Sequence, residues 1–403
     1  MKSNFRKRVL DNGMTVLFER RNVPVVSMSI TVKSGGINEH LDEKGISHFI
    51  EHMLYKGTLR RTAFDIAAEI EKNGGELNGF TAENMTSFWC KMPSCHLDVG
   101  LDVLSDMILN PKFDEKEVEK ERKVIFQEIK MRKDSPRLYV MDRLQSMLYS
   151  GTLGSELIGS KKTMNSIDKK KLLDRFKKVY VPHNMILTVV GNAKFDYIVR
   201  WAEKTFKSRK GTSPKYSFNL KNGSRIERRK GIDQANMVFA FHSPLASDDM
   251  VYAAEVLSTV MGGGMSSRLF SEIREKRNLA YSIHSDLDCS RYYSHTIIYV
   301  GTNAKNIKVV EDLILKEFEK VSNDLTQKEL NEIKDQLIGN FQISMEDSQG
   351  QMIHLISSEI DSSAEEFYDY EKKIKSVKLD DVRRLASKVK KGEYSLFALI
   401  PQN

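Results

Sequence analysis

Near-continuous apolar runs mark Met185 to Val190, Met237 to Phe241 and Tyr394 to Ile400, lengths that suit buried strands, while Val26 to Val32 alternates apolar residues with Ser27, Ser29 and Thr31, and Ile297 and Tyr299 alternate as in a strand. Between the runs the period changes to that of a helix. Ile307, Val310, Leu313, Ile314, Phe318 and Val321 form an apolar stripe, and Thr326 with Glu329 three positions on opens the next helix as a capping box. A helical pattern also covers Gly45 to Gly57, and a charged one covers Asp114 to Lys133, where Val118, Glu121, Ile125 and Glu128 share a face. The periodicity breaks most strongly from Lys207 to Asn222, where Gly211, Ser213 and Pro214 sit among polar residues, which predicts an interdomain linker. On both sides of it the same order recurs: a strand, two helices, a strand pair, then a helix-rich run ending in a strand. The chain therefore reads as a duplication, with domains at 1–206 and 223–403 around a linker at 207–222, and the mixture of strand and helix within each half makes the class α+β.

Length and composition fit that division. At 403 residues the chain exceeds what one core usually supports, and 40% hydrophobic with 29% charged residues is ordinary for a globular protein. No run approaches the roughly 18 apolar residues that span a bilayer, so no membrane partner is expected. The basic start, Met1 to Lys7, passes into a strand pattern without an apolar leader, which places the expected location in the cytoplasm. Cys90, Cys95 and Cys289 form no C-x-x-C pair and are expected to be packing residues rather than a disulfide framework or thiolate metal site. The net charge of +8 comes from lysines interleaved with glutamates, so a nucleic-acid partner is not expected.

The candidate chemistry lies at His48-x-x-Glu51-His52. Positions i and i+4 share a helix face, so His48 and His52 can present two imidazoles to one ion, with Glu51 on nearly the same face. H-x-x-E-H is an inverted form of the H-E-x-x-H zinc signature, and its competitor is a helix with two exposed or capped histidines. A third ligand is offered by Glu128, a carboxylate on a partly apolar stripe that needs a partner. Zinc held by His48, His52 and Glu128 would bring the pKa of its water from about 16 toward ~7, and Glu51, beside that water but not a ligand, would take its proton. Glu121, two turns from Glu128, either orients a histidine ligand or is a plain surface carboxylate. Setting Gly57 against Gly263 aligns the halves and puts Ala254, Leu257 and Ser258 at the places of His48, Glu51 and His52, so one Zn2+ per chain is expected. Met261 to Ser267 is glycine-rich but lacks the Gly-Lys-Ser/Thr ending of a phosphate loop and reads as a turn.

Together with Glu121 and Glu128, the motif resembles the M16 (pitrilysin or inverzincin) metallopeptidases. Leu10 to Met14, Leu77 to Thr81, Met265 to Phe270 and Arg274 to Tyr281 extend the resemblance over nearly the whole chain, and the length is most similar to the short M16B members that include mitochondrial processing peptidase subunits. The resemblance implies two bowl-like halves around a chamber and a zinc endopeptidase acting on short or unfolded peptides. It implies a substrate-binding strand at Asn78, Gly79 and Phe80, and peptide-positioning roles for Arg274 and Tyr281. It adds a substrate-guiding role for the glycine-rich turn. Gln127 stands where many members have glutamate, a departure expected to alter the surroundings of the ligand. Because one chain carries both the metal set and the Arg and Tyr pair, a homodimer is favoured, with a heterodimer with a related subunit left open. The alternative function is a non-catalytic peptide-binding or scaffold subunit of a processing complex.

Overall fold

The structure, a computed structural model, describes residues 4–402; Met1 to Ser3 of the basic start and Asn403 lie outside the described residues. The described residues divide into two compact units, one formed by residues up to 130 with 151–218 and 344–360, the other by 131–150, 219–343 and those from 361 on.

The first unit is built on a six-stranded sheet. Its strands are β1 (Phe5–Val9), β2 (Thr15–Arg20), β3 (Val25–Val32), β4 (Glu76–Thr81), β5 (Thr86–Pro93) and β6 (Met185–Gly191), in the order β1-β2-β6-β3-β5-β4. Only β2 and β6 run parallel. Helices α1 (Ile46–Leu54), α2 (Ala63–Glu71), α3 (Leu97–Leu109), α4 (Glu115–Asp134), α6 (Lys161–Ser166), α7 (Lys169–Val179) and α8 (Phe195–Thr205) accompany it, with α5 (Pro136–Leu148) between α4 and α6 in sequence. The continuous burial of β3 has two sources. Val26, Met28, Ile30 and Val32 join Phe49 and Ile50 of α1 and Leu101 and Leu104 of α3 in one core. On the alternate positions, Ser27 and Thr31 are buried through hydroxyl pairs, Ser27 with Ser348 and Thr31 with Ser87, each at 2.8 Å. Burial without such partners would cost these hydroxyls on the order of 1–3 kcal/mol each.

The second unit has five strands, β7 (Ser224–Arg229), β8 (Ala235–His242), β9 (Ala280–Cys289), β10 (Ser294–Thr302) and β11 (Ser395–Pro401), in the order β9-β10-β8-β11-β7. Its helices include α9 (Val251–Gly262), α10 (Ile307–Asp324), α11 (Gln327–Ser344), α13 (Tyr370–Ser376) and α14 (Leu379–Lys388), and α12 (Ser348–Asp361) lies between α11 and α13 in sequence. The order repeats β4-β5-β3-β6-β2 of the first unit, with the parallel pair at the equivalent place, β7 beside β11. The duplication read from the order of elements is thus a duplication of topology. Thr326 caps α11, its Oγ1 accepting from the Glu329 N–H at 3.2 Å, while the Glu329 carboxylate, expected to close a capping box, instead accepts from Arg268 at 2.7 Å through both oxygens.

The compact units differ from a single division at 207–222, because two helices are exchanged along the chain. Although flanked in sequence by first-unit residues, α5 packs on β8 and β11 of the second sheet. Tyr139 meets the Phe397 ring edge-on and donates to Glu227 at 2.7 Å. In return α12, through Ile360, belongs to the first unit, held by the Ser27–Ser348 pair and by ion pairs Lys91–Asp347 and Lys7–Glu359 at its two ends. Periodicity along a sequence identifies an amphipathic helix but not the sheet that covers its apolar face, and for that reason the exchange is invisible in the pattern.

Candidate metal centre

The centre is organised by α1, whose buried residues Ile46, Phe49, Ile50, Met53 and Leu54 seat it on the sheet and leave His48, Glu51 and His52 on the half-buried side. Gly45 opens the helix at φ 95°, and an added Cβ there would lie 2.5 Å from Met164 Cε and 2.6 Å from the Ile158 carbonyl oxygen. Glycine meets both demands but has no side chain to cap the helix. Glu39 does this instead: its carboxylate accepts from the N–H groups of Gly45 at 2.9 Å and Ser47 at 2.7 Å. Lys44 faces Glu39 at 3.8 Å and Glu83 at 3.6 Å and donates to the Gly36 carbonyl at 2.8 Å, so the buried carboxylates have a buried counter-charge.

On this base His48, His52 and Glu128 converge, each offering one ligand atom within 4.8 Å of the others. The Glu128 Oε2 lies 3.6 Å from His48 Nε2 and 3.5 Å from His52 Nε2, and the two rings are 4.6 Å apart at 67°. Tetrahedral ligands at about 2.1 Å from one ion stand about 3.4 Å from each other, so these separations fit zinc. The donor set fits as well. Glu121 Oε2 lies 3.1 Å from His52 Nδ1, which assigns the proton to Nδ1 and turns the Nε2 lone pair toward Glu128. Facing lone pairs need a cation between them. In the protein alone His52 takes this role: burial opposes its charge, but hydrogen bonds to Glu121 and Glu128 outweigh it and bring its pKa up to about 9.

The surrounding charges follow the same logic. The Glu128 carboxyl is held below its ordinary range, chiefly by its hydrogen bond with His52. Burial works to raise Glu121, yet His52 and the Lys56 ammonium, 2.8 Å from its Oε1, bring it down. Glu51 moves the other way, raised by burial against the opposing hydrogen bond from Thr81, whose Oγ1 donates to Glu51 Oε2 at 2.6 Å. Three carboxylate or imidazole groups and their neighbours thus form a site with the lowered carboxyls of Glu121 and Glu128 on one side and the more basic Glu51 beside it.

The remaining expected residues are distributed over both units. Asn78, Gly79 and Phe80 lie on β4, an edge strand that among the described residues pairs with β5 alone, with Asn78 exposed. Gly79 is required by its surroundings: an added Cβ would be 2.6 Å from the Tyr55 hydroxyl and 2.9 Å from the Ser87 carbonyl oxygen. Arg274 lies in a π-helical segment, Phe270–Glu275, stacked 4.7 Å over the Phe270 ring, and Tyr281 is 41% exposed on β9 with its hydroxyl donating to the Thr302 carbonyl at 3.3 Å. Gln127 is exposed, and the contacts that surround the ligands come from Glu121 and Lys56. Cys90 is buried, but Cys95 is exposed, which corrects the expectation that every cysteine is a packing residue. Lys56 and Thr81 were not singled out from the sequence; Lys56 stands four positions after His52, just past the end of α1.

In the second unit, Ala254, Leu257 and Ser258 occupy the places aligned with His48, Glu51 and His52. All three are buried in α9, and Ser258 pairs with Ser285 at 2.8 Å.

Residues 15–161 match the family model described as insulinase (peptidase family M16), and residues 166–337 match the one described as peptidase M16 inactive domain. The chain is 30% identical over 402 residues to the "Uncharacterized zinc protease YmxG" of Bacillus subtilis, covering 98% of each. It is 32% identical over 399 residues to an "Uncharacterized zinc protease" of Rickettsia felis, covering 96% of each. In three dimensions it is similar to a protease from Helicobacter pylori, with a TM-score of 0.92 at 23% identity over 99% of this chain and 100% of that one. A peptidase M16 inactive domain from Pseudomonas fluorescens superposes with a TM-score of 0.89 at 18% identity, over 99% of this chain and 98% of that one. The chain belongs to peptidase family M16. Among the described residues no helix is long and apolar enough to cross a membrane.

Proposed function

We propose that this protein is a zinc-dependent endopeptidase that hydrolyses short or unfolded peptides, with one zinc held by His48, His52 and Glu128. The carrying observation is the convergence of three donor atoms of the right type and spacing, with Glu51 beside them but outside the set. When bound, zinc supplies Lewis acidity, acidifying water and polarising the scissile carbonyl. Glu51 accepts the proton of the attacking water and returns it to the leaving amine, a task suited to a carboxylate whose basicity is increased by burial. Glu121 holds His52 in the required tautomer, and Lys56 keeps Glu121 ionised. The open edge of β4 can receive an extended peptide through backbone hydrogen bonds, which suits substrates without fixed structure. Arg274 and Tyr281 are read as the peptide-positioning side chains of the second unit, and the assembly as a homodimer, which sedimentation would test.

The match of residues 166–337 to a domain described as inactive favours a second reading, in which the chain binds peptides without cutting them. One experiment separates the two. The purified protein is incubated with a peptide mixture, with and without chelator, beside Glu51→Gln and His52→Ala. The endopeptidase reading expects chelator-sensitive cleavage, a fall of at least ~100-fold in Glu51→Gln with zinc retained, and loss of zinc in His52→Ala. Full zinc occupancy in His52→Ala, or normal turnover in Glu51→Gln, would overturn it.

A further inference from the structure

Thr81 ends the exposed edge strand β4, yet its hydroxyl is directed at α1, donating to Glu51 Oε2 at 2.6 Å. A β-branched side chain in a strand has few χ1 states, so the direction of this donor is set by the strand backbone. That backbone is fixed with unusual closeness. Thr81 pairs with Thr86 across the β4–β5 turn, and Ala82 N–H donates to Met85 at 2.8 Å to close it. From outside the turn, Gly36 N–H donates to the Ala82 carbonyl at 3.1 Å and Ile37 N–H to that of Glu83 at 2.8 Å. An added Cβ on Gly35 would lie 2.1 Å from the Ala82 carbonyl oxygen, so this backbone approach leaves no room for a side chain. Buried Lys44 then joins the turn, through Glu83, to the Glu39 carboxylate that caps α1. At the other end of the contact Gly79 lets β4 approach the hydroxyl of Tyr55, one helical turn beyond Glu51. Both elements are therefore held at the distance that the Thr81–Glu51 bond requires.

We infer that Thr81 is a positioning residue for the proton-accepting Glu51, holding one carboxylate oxygen so that the other is aimed at the reacting water. The inference rests on the endopeptidase reading for its catalytic consequence, but the geometric part does not. A carboxylate carried on three rotatable bonds loses its aim when one oxygen is released, and general-base catalysis is sensitive to misplacement of this kind. Holding by Thr81 also ties the base, on α1, to the strand proposed to bind the peptide.

The test compares Thr81→Val, which keeps the shape and removes the hydroxyl, with Thr81→Ser, which keeps the hydroxyl. In Thr81→Val kcat is expected to fall about tenfold or more while KM stays within about twofold and zinc content is unchanged; Thr81→Ser is expected to recover kcat to within about threefold of the wild type. Wild-type kcat in Thr81→Val, or a loss not recovered by serine, overturns the proposal. If thermal melting shows Thr81→Val unfolded, Thr81→Ala takes its place under the same criteria. Crystal structures of the variants supply a readout apart from activity: Glu51 displaced in the valine variant and in place in the serine variant supports the inference, and Glu51 unmoved in both refutes it. An absence of chelator-sensitive hydrolysis in the wild type would instead overturn the endopeptidase reading, leaving the crystallographic comparison to decide the role of Thr81.

Discussion

His48 and His52 were legible from spacing because a four-residue interval on a helix fixes two side chains on one face whatever the rest of the chain does. The Glu128 carboxylate was legible for a weaker reason, its place on a partly apolar stripe, and Glu121 was left between two roles. The structure brings Glu121 to His52, where Lys56 completes the arrangement. Lys56→Met should keep the methylene packing but remove the counter-charge that keeps Glu121 ionised, so zinc affinity is expected to weaken by about 10–100-fold with folding retained. Competition titration with a metal chelator would measure it, and an unchanged affinity would exclude Lys56 from the centre. Thr81 was hidden for a different reason. Its side-chain partner is 30 positions away, and such a pairing depends on the register of a strand against a helix.

At the scale of elements, the start of α1 places a glycine where the backbone demands one and moves the cap to Glu39. Gly45→Ala must adopt a positive φ and displace Met164 or the Ile158 carbonyl, a strain of roughly 1–3 kcal/mol that should lower Tm and reduce zinc occupancy together. Melting and metal analysis of one preparation would show whether the two losses travel together. At the end of α12, Asp361 accepts from the Arg291 N–H at 3.1 Å, and burial pushes its carboxyl pKa from 3.8 up to about 7. A carboxyl raised in the folded state stabilises fully below its unfolded value and loses that contribution as pH rises through the folded one. Asp361→Asn keeps the acceptor oxygen without the charge. Its Tm should therefore gain on the wild type between pH 5 and pH 8, and a gap that closes over this range would contradict the assignment. The strands that were given bounds were readable from their patterns: β3, β6, β8 and β11 begin and end within two residues of the segments that announced them.

For the whole molecule, the recurring order of elements revealed the duplication, whereas the partners of α5 and α12 could not be read, since an apolar stripe does not name the surface that will cover it. A cut in the 207–222 segment therefore separates more than two domains. The fragment 1–206 keeps α5 without β8 and β11 and loses α12, so each fragment alone is expected to be insoluble or to lack a cooperative melt, and the two co-expressed are expected to recover a folded complex. A sharp, independent transition in the isolated 1–206 fragment would show that the exchange matters little. The same exchange bears on synthesis at the ribosome. The first sheet has all six strands once Gly191 has emerged, yet Ser27 and Lys91 wait for Ser348 and Asp347 at the start of α12, a delay on the order of ten seconds at ordinary elongation rates. During that interval the nascent chain lacks the partners of Ser27 and Lys91, so a message truncated before α12 is expected to yield a product that exposes this part of the sheet and is open to chaperones.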